Sequence, residues 1–297
     1  MLISRFLRRV RAWFPAPVLA RPEASSALPR PTAESQLLLS LQYRQLRHTE
    51  APLPRLRDVG FRVYSESDKD GILHYIFSLI GAKNRLLVDI SASKLEGSNT
   101  ANLLINRGWT GLLVDGRTER VKGLRDFYAA CPETRNYPPR CVAAWATAEN
   151  VNDVIREAGP HHGDCLPQPV VNSVDVDRQE IDLAPESRVV VVAYQCILGP
   201  ERSVSVPYRP DFTATFDGPY ATYNSASLAA FIKLGRSKGY RLVGCQRYGY
   251  NAFFVREDLD REELPEVSAH ECFEHPFPQW AMTTFFDRVK DRGRVEV

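Results

Sequence analysis

The chain has 297 residues, 44% of them hydrophobic and 25% charged, with a formal net charge of only +2. This is ordinary globular composition, enough for one large α/β domain with extensions, and it carries no global signal of a nucleic-acid partner. No apolar run reaches the roughly 18–20 residues that span a bilayer.

The charge is unevenly placed. Residues 1–57 hold ten Arg against three Glu, a balance of +7, which leaves 2 − 7 = −5 for the rest. Within Met1–Phe14, Leu2, Phe6, Val10 and Trp13 fall at helical spacing, interrupted by Arg5, Arg8, Arg9 and Arg11. The arginines break any continuous signal-peptide core. The pattern is read as a frayed basic terminus or a short helix that contacts a membrane surface or a protein. The six cysteines are scattered without a CxxC pair, as in a reduced intracellular protein. The expected location is cytoplasmic, with peripheral membrane contact through that helix as a variant.

Pro15 to Pro31 contains five prolines and reads as a linker. A helix is expected over residues 35–46 through Leu38, Leu39, Gln42 and Leu46. From about Leu56 the texture is globular. Residues 68–80 carry Ile72, Tyr75, Ile76, Leu79 and Ile80 on one helical face, with Gly81 as a C-cap. Strands are then expected at 85–91, 111–115, 140–146, 170–176 and 188–194, with helices at 99–107, 119–130 and 150–158 between them. The run Val189 to Val192 is apolar enough to need cover on both faces. An irregular excursion over 196–223 follows, then a helix at 225–238 and a hairpin of two strands, 241–247 and 251–255, around Tyr248-Gly249-Tyr250. Residues 259–297 show no clear period. Alternating strands and helices predict an α/β, doubly wound, mostly parallel sheet with an antiparallel hairpin at its edge. The expected organisation is a basic, Pro-rich extension over 1–55, the α/β domain over 56–258, and a C-terminal extension over 259–297.

Four phrases narrow the reading: Asp70-Gly-Ile-Leu73; Ser98-Asn-Thr-Ala-Asn-Leu103 with Gly108-Trp-Thr-Gly-Leu-Leu-Val-Asp-Gly116; Ser227-Leu228 with Gly235 and Gly239-Tyr240; and Asn251-Ala-Phe-Phe-Val-Arg256. In order and spacing they resemble the FkbM-type branch of class I S-adenosylmethionine-dependent methyltransferases. The resemblance implies the class I methyltransferase fold, a Rossmann-like, doubly wound, mostly parallel seven-stranded sheet with an antiparallel C-terminal hairpin strand. It also implies S-adenosylmethionine as cofactor and methylation of a hydroxyl on a glycan or small molecule. It implies cofactor contacts from Asp89, Ser91, Ser93, Asn99 and Asp115, with Asp115 accepting the ribose hydroxyls. The simplest account of Asn99 is an N-cap. Asp175 and Asp177, two residues apart at the end of a strand, project to one side and are the expected catalytic pair. One would act as general base, or both would hold a Mg²⁺.

The chain departs from the family pattern at three strand ends. After Ala92 come Ser93, Lys94 and Leu95, where relatives carry Gly, Asp and Gly. Ala193 replaces an acid, and Ser225 replaces a glycine. A lysine about 5 Å from a sulfonium costs about 3 kcal/mol at an effective dielectric near 20. Two readings stay open: a working O-methyltransferase, or a catalytically inactive member that serves as a binding or scaffolding partner. No zinc site is expected, since His161-His-Gly-Asp-Cys165 and His270-Glu-Cys-Phe-Glu-His275 lack paired ligand spacing.

Overall fold

The computed structural model describes residues 30–90, 92, 95, 97–147, 149–158, 171–174, 187–209 and 222–297. The basic segment at 1–14, the proline-rich linker up to residue 29, Ser91, Ser93, Lys94, the motif at 161–165, and Asp175 and Asp177 lie outside the described residues.

Nine strands are described: β1 (Leu86–Ile90), β2 (Thr110–Asp115), β3 (Arg140–Ala143), β4 (Val171–Val174), β5 (Val189–Ala193), β6 (Val204–Ser205), β7 (Tyr240–Cys245), β8 (Asn251–Arg256) and β9 (Val295–Glu296). The helices are α1 (Ala33–Leu46), α2 (Lys69–Ile80), α3 (Ala101–Arg107), α4 (Thr118–Ala130), α5 (Val151–Ala158), α6 (Leu228–Ser237) and α7 (Pro276–Phe285). Seven strands form one sheet in the order β3-β2-β1-β4-β5-β8-β7. The first five run parallel, and β8 lies antiparallel between β5 and β7.

Strand pleating sorts the side chains onto two faces. Leu87, Leu113, Val189 and Val191 point into a core shared with α2, α3 and α4. Val88, Ile90, Leu112 and Val114 meet Val151, Val154 and Ile155 of α5. Further along that second face, Val190 and Val192 meet Leu228, Phe231 and Ile232 of α6. Each fully buried Val or Leu contributes roughly 1.5–3 kcal/mol, so a strand with apolar residues on both sides is stable only under two layers of helix.

Helix α1 forms where expected and packs Leu39 and Leu46 against the core, but it is rolled so that Leu38 and Gln42 are exposed. Leu38 is 63% exposed, whereas Gln36, Ser40 and Tyr43 are buried. The reason is a polar seam. Gln36 and Asn102 exchange side-chain amide hydrogen bonds of 3.2 and 2.9 Å. Ser40 contacts His74 Nε2 at 3.1 Å and the Ser78 hydroxyl at 2.9 Å, and it accepts from Arg107. A buried polar group needs a partner, and the helix turns to supply one. Helix α2 is buried on every side rather than along one stripe.

The C-terminal extension is ordered where no period predicted it. Residues 270–273 form a 3₁₀ turn, α7 follows, and His275 Nδ1 accepts from the Phe277 N–H to cap α7. Arg241 on the outer strand β7 anchors this segment. Only 1% exposed, its guanidinium donates to the carbonyls of Arg256, Glu257, Leu259 and Leu264. Val267 N–H then bonds the Leu242 carbonyl at 2.9 Å, so the tail runs alongside β7.

Candidate functional site

The strand order locates the site. The chain steps outward from β1 to β2 to β3, then returns to place β4 on the other side of β1. The strand order reverses beside β1, and open α/β sheets bind ligands in the crevice outside the carboxyl ends of the strands at such a reversal. The described wall of that crevice is the turn after β1 together with the end of β2.

The turn after β1 is held from outside by Asp70. Its Oδ2 accepts from the N–H groups of Val63, Tyr64 and Ser65 at 2.7, 2.7 and 2.8 Å, and from the Ser65 hydroxyl at 3.0 Å. Burial pushes this carboxyl's pKa up, and the hydrogen bonds pull it back. Gly71 allows the same loop to cross the helix. A Cβ there would stand 2.2 Å from the Phe61 nitrogen and 2.5 Å from the Val59 oxygen. The loop so fixed bonds the turn, with Gly97 N–H donating to the Tyr64 carbonyl at 2.8 Å. Gly97 has φ +98, a conformation that side-chained residues rarely adopt. A glycine serves the turn after all, later in the chain than the family pattern puts it.

Asp89 is buried on the first face, and its Oδ2 accepts from Thr100 Oγ1 at 2.6 Å. Tyr128 lies nearby. Burial raises its phenol pKa well above the usual range, and the Asp89 charge adds to the effect. The visible role of Asp89 is thus to fasten the start of α3 to β1. Asn99 is buried, and the N-cap of α3 is Thr100, whose side chain makes no capping bond. The Ser98 hydroxyl accepts from the N–H groups of Thr100 at 3.2 Å and Ala101 at 3.1 Å. The expectation of an N-cap at Asn99 is corrected by one position, to Thr100, and Ser98 supplies the side-chain acceptor from the preceding turn.

Asp115 ends β2 and is also buried. Its Oδ1 accepts from the Arg117 N–H at 2.8 Å, and Oδ2 lies 3.6 Å from Arg120. One backbone bond fixes the carboxylate's orientation. The next residue, Gly116, lies under the Trp145 ring, and a Cβ at 116 would stand 2.2 Å from Trp145 Cε3. Trp145 is nonetheless 51% exposed. A buried acid, a bare backbone and a half-open indole therefore sit together, a set that offers hydroxyl recognition beside an aromatic face. Composition and periodicity do not single out Trp145, because it follows β3 and meets Gly116 only in the folded sheet.

The end of β5 is arranged differently. The Ser225 hydroxyl donates to the Ala193 carbonyl at 2.9 Å, while Gln195 Nε2 donates to the Thr222 carbonyl and to Asn224 Oδ1. Ser225 has φ +54, so it keeps the left-handed backbone that a glycine would adopt readily. Beyond β5 the excursion crosses the sheet edge. Tyr208 donates through its hydroxyl to Glu149 at 2.6 Å, in the loop that leads into α5 beneath β1 and β2.

Among the described residues, no group of three or more His, Cys, Asp or Glu could hold a metal ion, and no helix is long and apolar enough to cross a membrane.

No protein-family profile matches the chain, and no curated protein matches it. Solved structures do. The N-terminal domain of EvdMO1 with SAH bound is 12% identical with a TM-score of 0.38, covering 74% of this chain and 94% of that one. The same domain in the presence of SAH and D-fucose is 13% identical, with a TM-score of 0.39 and coverage of 74% and 96%. The N,N-8-amino-8-demethyl-D-riboflavin dimethyltransferase RosA from Streptomyces davawensis is 16% identical, with a TM-score of 0.34 and coverage of 76% and 68%. At TM-scores below 0.5 these likenesses decide neither fold nor function.

Proposed function

We propose that this chain has the class I methyltransferase fold of the FkbM-like branch and is an S-adenosylmethionine-dependent methyltransferase-like protein acting on a hydroxyl of a glycan or small molecule. The observation that carries the reading is Asp115. It is a buried carboxylate at the carboxyl end of β2, oriented by the Arg117 N–H and next to the turn that holds Gly97 at φ +98. In a parallel sheet of this order, an acid there is placed to accept the two hydroxyls of a ribose.

The residues present fit the nucleoside end of such a cofactor. Asp115 would take the ribose, and Trp145, seated on the bare backbone of Gly116, offers an aromatic face. When bound, S-adenosylmethionine supplies an electrophilic methyl group. The chain's own part is to orient and to exclude water. Asp70 and Gly71 fix the loop that shapes the turn, and the excursion from Cys196 to Tyr208 covers the edge. The acceptor proton falls to Asp175 or Asp177, one and three residues after Val174 in sequence. Ala193 and the closed end of β5 leave that task to the β4 side.

Titration calorimetry with S-adenosylhomocysteine tests the proposal. Saturable binding in the micromolar range, lost in Asp115→Ala, is the expected result. No heat at roughly millimolar ligand would overturn the reading in favour of an inactive member with a scaffolding role.

A further inference from the structure

The C-terminal tail and the chain after β5 enclose a cleft of about 680 Å³ that shares no wall residue with the crevice at β1 and β2. Strands β6 and β9 build it, Val204 pairing with Glu296 and Ser205 with Val295. The Tyr223 hydroxyl donates to the Gly293 carbonyl and holds the tail from the other side.

Four cations line this cleft, Arg202, Lys233, Lys290 and Arg294, against one side-chain carboxylate, that of Glu296. Two of the four are gathered on one ring. Arg202 lies 4.4 Å from the Phe286 centroid and Arg294 lies 5.9 Å from it. Arg294 also approaches Tyr223 at 5.9 Å. Among the described residues, neither guanidinium pairs with a carboxylate. Arg202 donates to the Leu198 carbonyl at 3.2 Å, and Arg294 rests on aromatic faces. Lys233 donates to the Val297 oxygen at 2.7 Å, and Lys290 has an exposed partner, Asp287, at 3.2 Å. Burial, together with the Arg202 cation, holds the Arg294 pKa below its ordinary value. Like charges brought together on a partly desolvated wall repel, and an anion between them turns that repulsion into attraction.

We propose that this cleft binds a phosphoryl-bearing ligand through Arg202, Arg294, Lys233 and Lys290, with the rest of the ligand lying against Phe286. Guanidinium forks match phosphate oxygens two at a time, and a phosphoryl group carries enough charge to engage several cations. The volume falls within the range of small-molecule sites, roughly 300–1,000 Å³. This site is independent of the proposed methyl transfer.

The test is calorimetric titration of inorganic pyrophosphate into the full chain at low salt. Saturable binding is expected, weakened about tenfold for each guanidinium removed in Arg202→Gln and Arg294→Gln. The exposed pair Lys233→Ala and Lys290→Ala leaves the ring stack intact, and it should weaken binding even if the arginine variants fold poorly. A second arm sediments the protein with phosphatidylcholine vesicles with and without phosphatidic acid. Charge-dependent sedimentation, lost in the same variants, assigns the phosphoryl group to a lipid; pyrophosphate binding without sedimentation assigns it to a soluble ligand. Asp115→Ala should leave pyrophosphate binding unchanged, so failure here and failure of cofactor binding are read separately. Neither heat nor sedimentation at roughly millimolar probe, or equal binding in the lysine variant, would overturn the proposal.

Discussion

The ends of β2 and β5 meet the same sheet edge and have been put to opposite uses. At β2 a carboxylate, a glycine and a half-exposed indole face the edge. At β5 the groups that could meet a ligand are engaged by the chain itself: Ser225 bonds the Ala193 carbonyl, and Gln195 bonds Thr222 and Asn224. The comparison teaches that one sheet edge can be finished in two ways: a buried acid beside a glycine and an indole at β2, and side-chain bonds into the following loop at β5.

The strongest way to break this contrast is Asp115→Ala. Losing a charged acceptor of two hydroxyls should weaken S-adenosylhomocysteine binding by two to three orders of magnitude, about 3–4 kcal/mol, with little change in melting temperature. Acid acts on the scaffold of the same side. Burial foremost, then the Arg107 cation, holds the pKa of His74 down at about 4, against 6.5 in an open chain. The folded imidazole therefore stays neutral while the unfolded one takes a proton. Stability contributed by His74 is complete above about pH 6.5 and falls between pH 6.5 and 4, by about 3 kcal/mol in all. Urea unfolding followed across that window, with His74→Gln flattening the slope, checks it.

At the β5 side, Gln195→Ala removes two hydrogen bonds and should lower stability by about 1–2 kcal/mol, leaving S-adenosylhomocysteine affinity nearly unchanged. A large loss of affinity instead would mean that the two ends are coupled. The smallest effect belongs to Ser225→Gly. Relief of the left-handed backbone, about 1 kcal/mol, offsets a lost hydrogen bond of similar size. Chemical denaturation should place this variant within about 0.5 kcal/mol of the parent.

Much of the scaffold was legible in the residues. The apolar runs at β1, β2 and β5 and the Gly81 stop after α2 carry local signals that survive folding. The seam between α1 and α2 did not, because Gln36, Ser40 and His74 are buried for their partners and not for their hydropathy. The position of Asp115, at the end of an apolar strand, was legible in the sequence. The role of Asp70 was hidden, since its carboxylate bonds a loop upstream of its own helix. The Tyr208–Glu149 bond joins residues 59 apart and has no signature in either stretch. Ser98, Asn99 and Thr100 are all good capping residues by type, and only the turn geometry puts Thr100 at the N-cap.

The guanidinium of Arg241 sets a limit on how short this protein can be made. Its five hydrogen bonds, to four carbonyls between residues 256 and 264, fasten the last stretch of chain along the outermost strand. A version trimmed after residue 258 would bare that strand's unpaired peptide groups and leave a buried cation with half its acceptors gone. Such a product should gather into soluble aggregates during purification, even with every residue of the crevice intact.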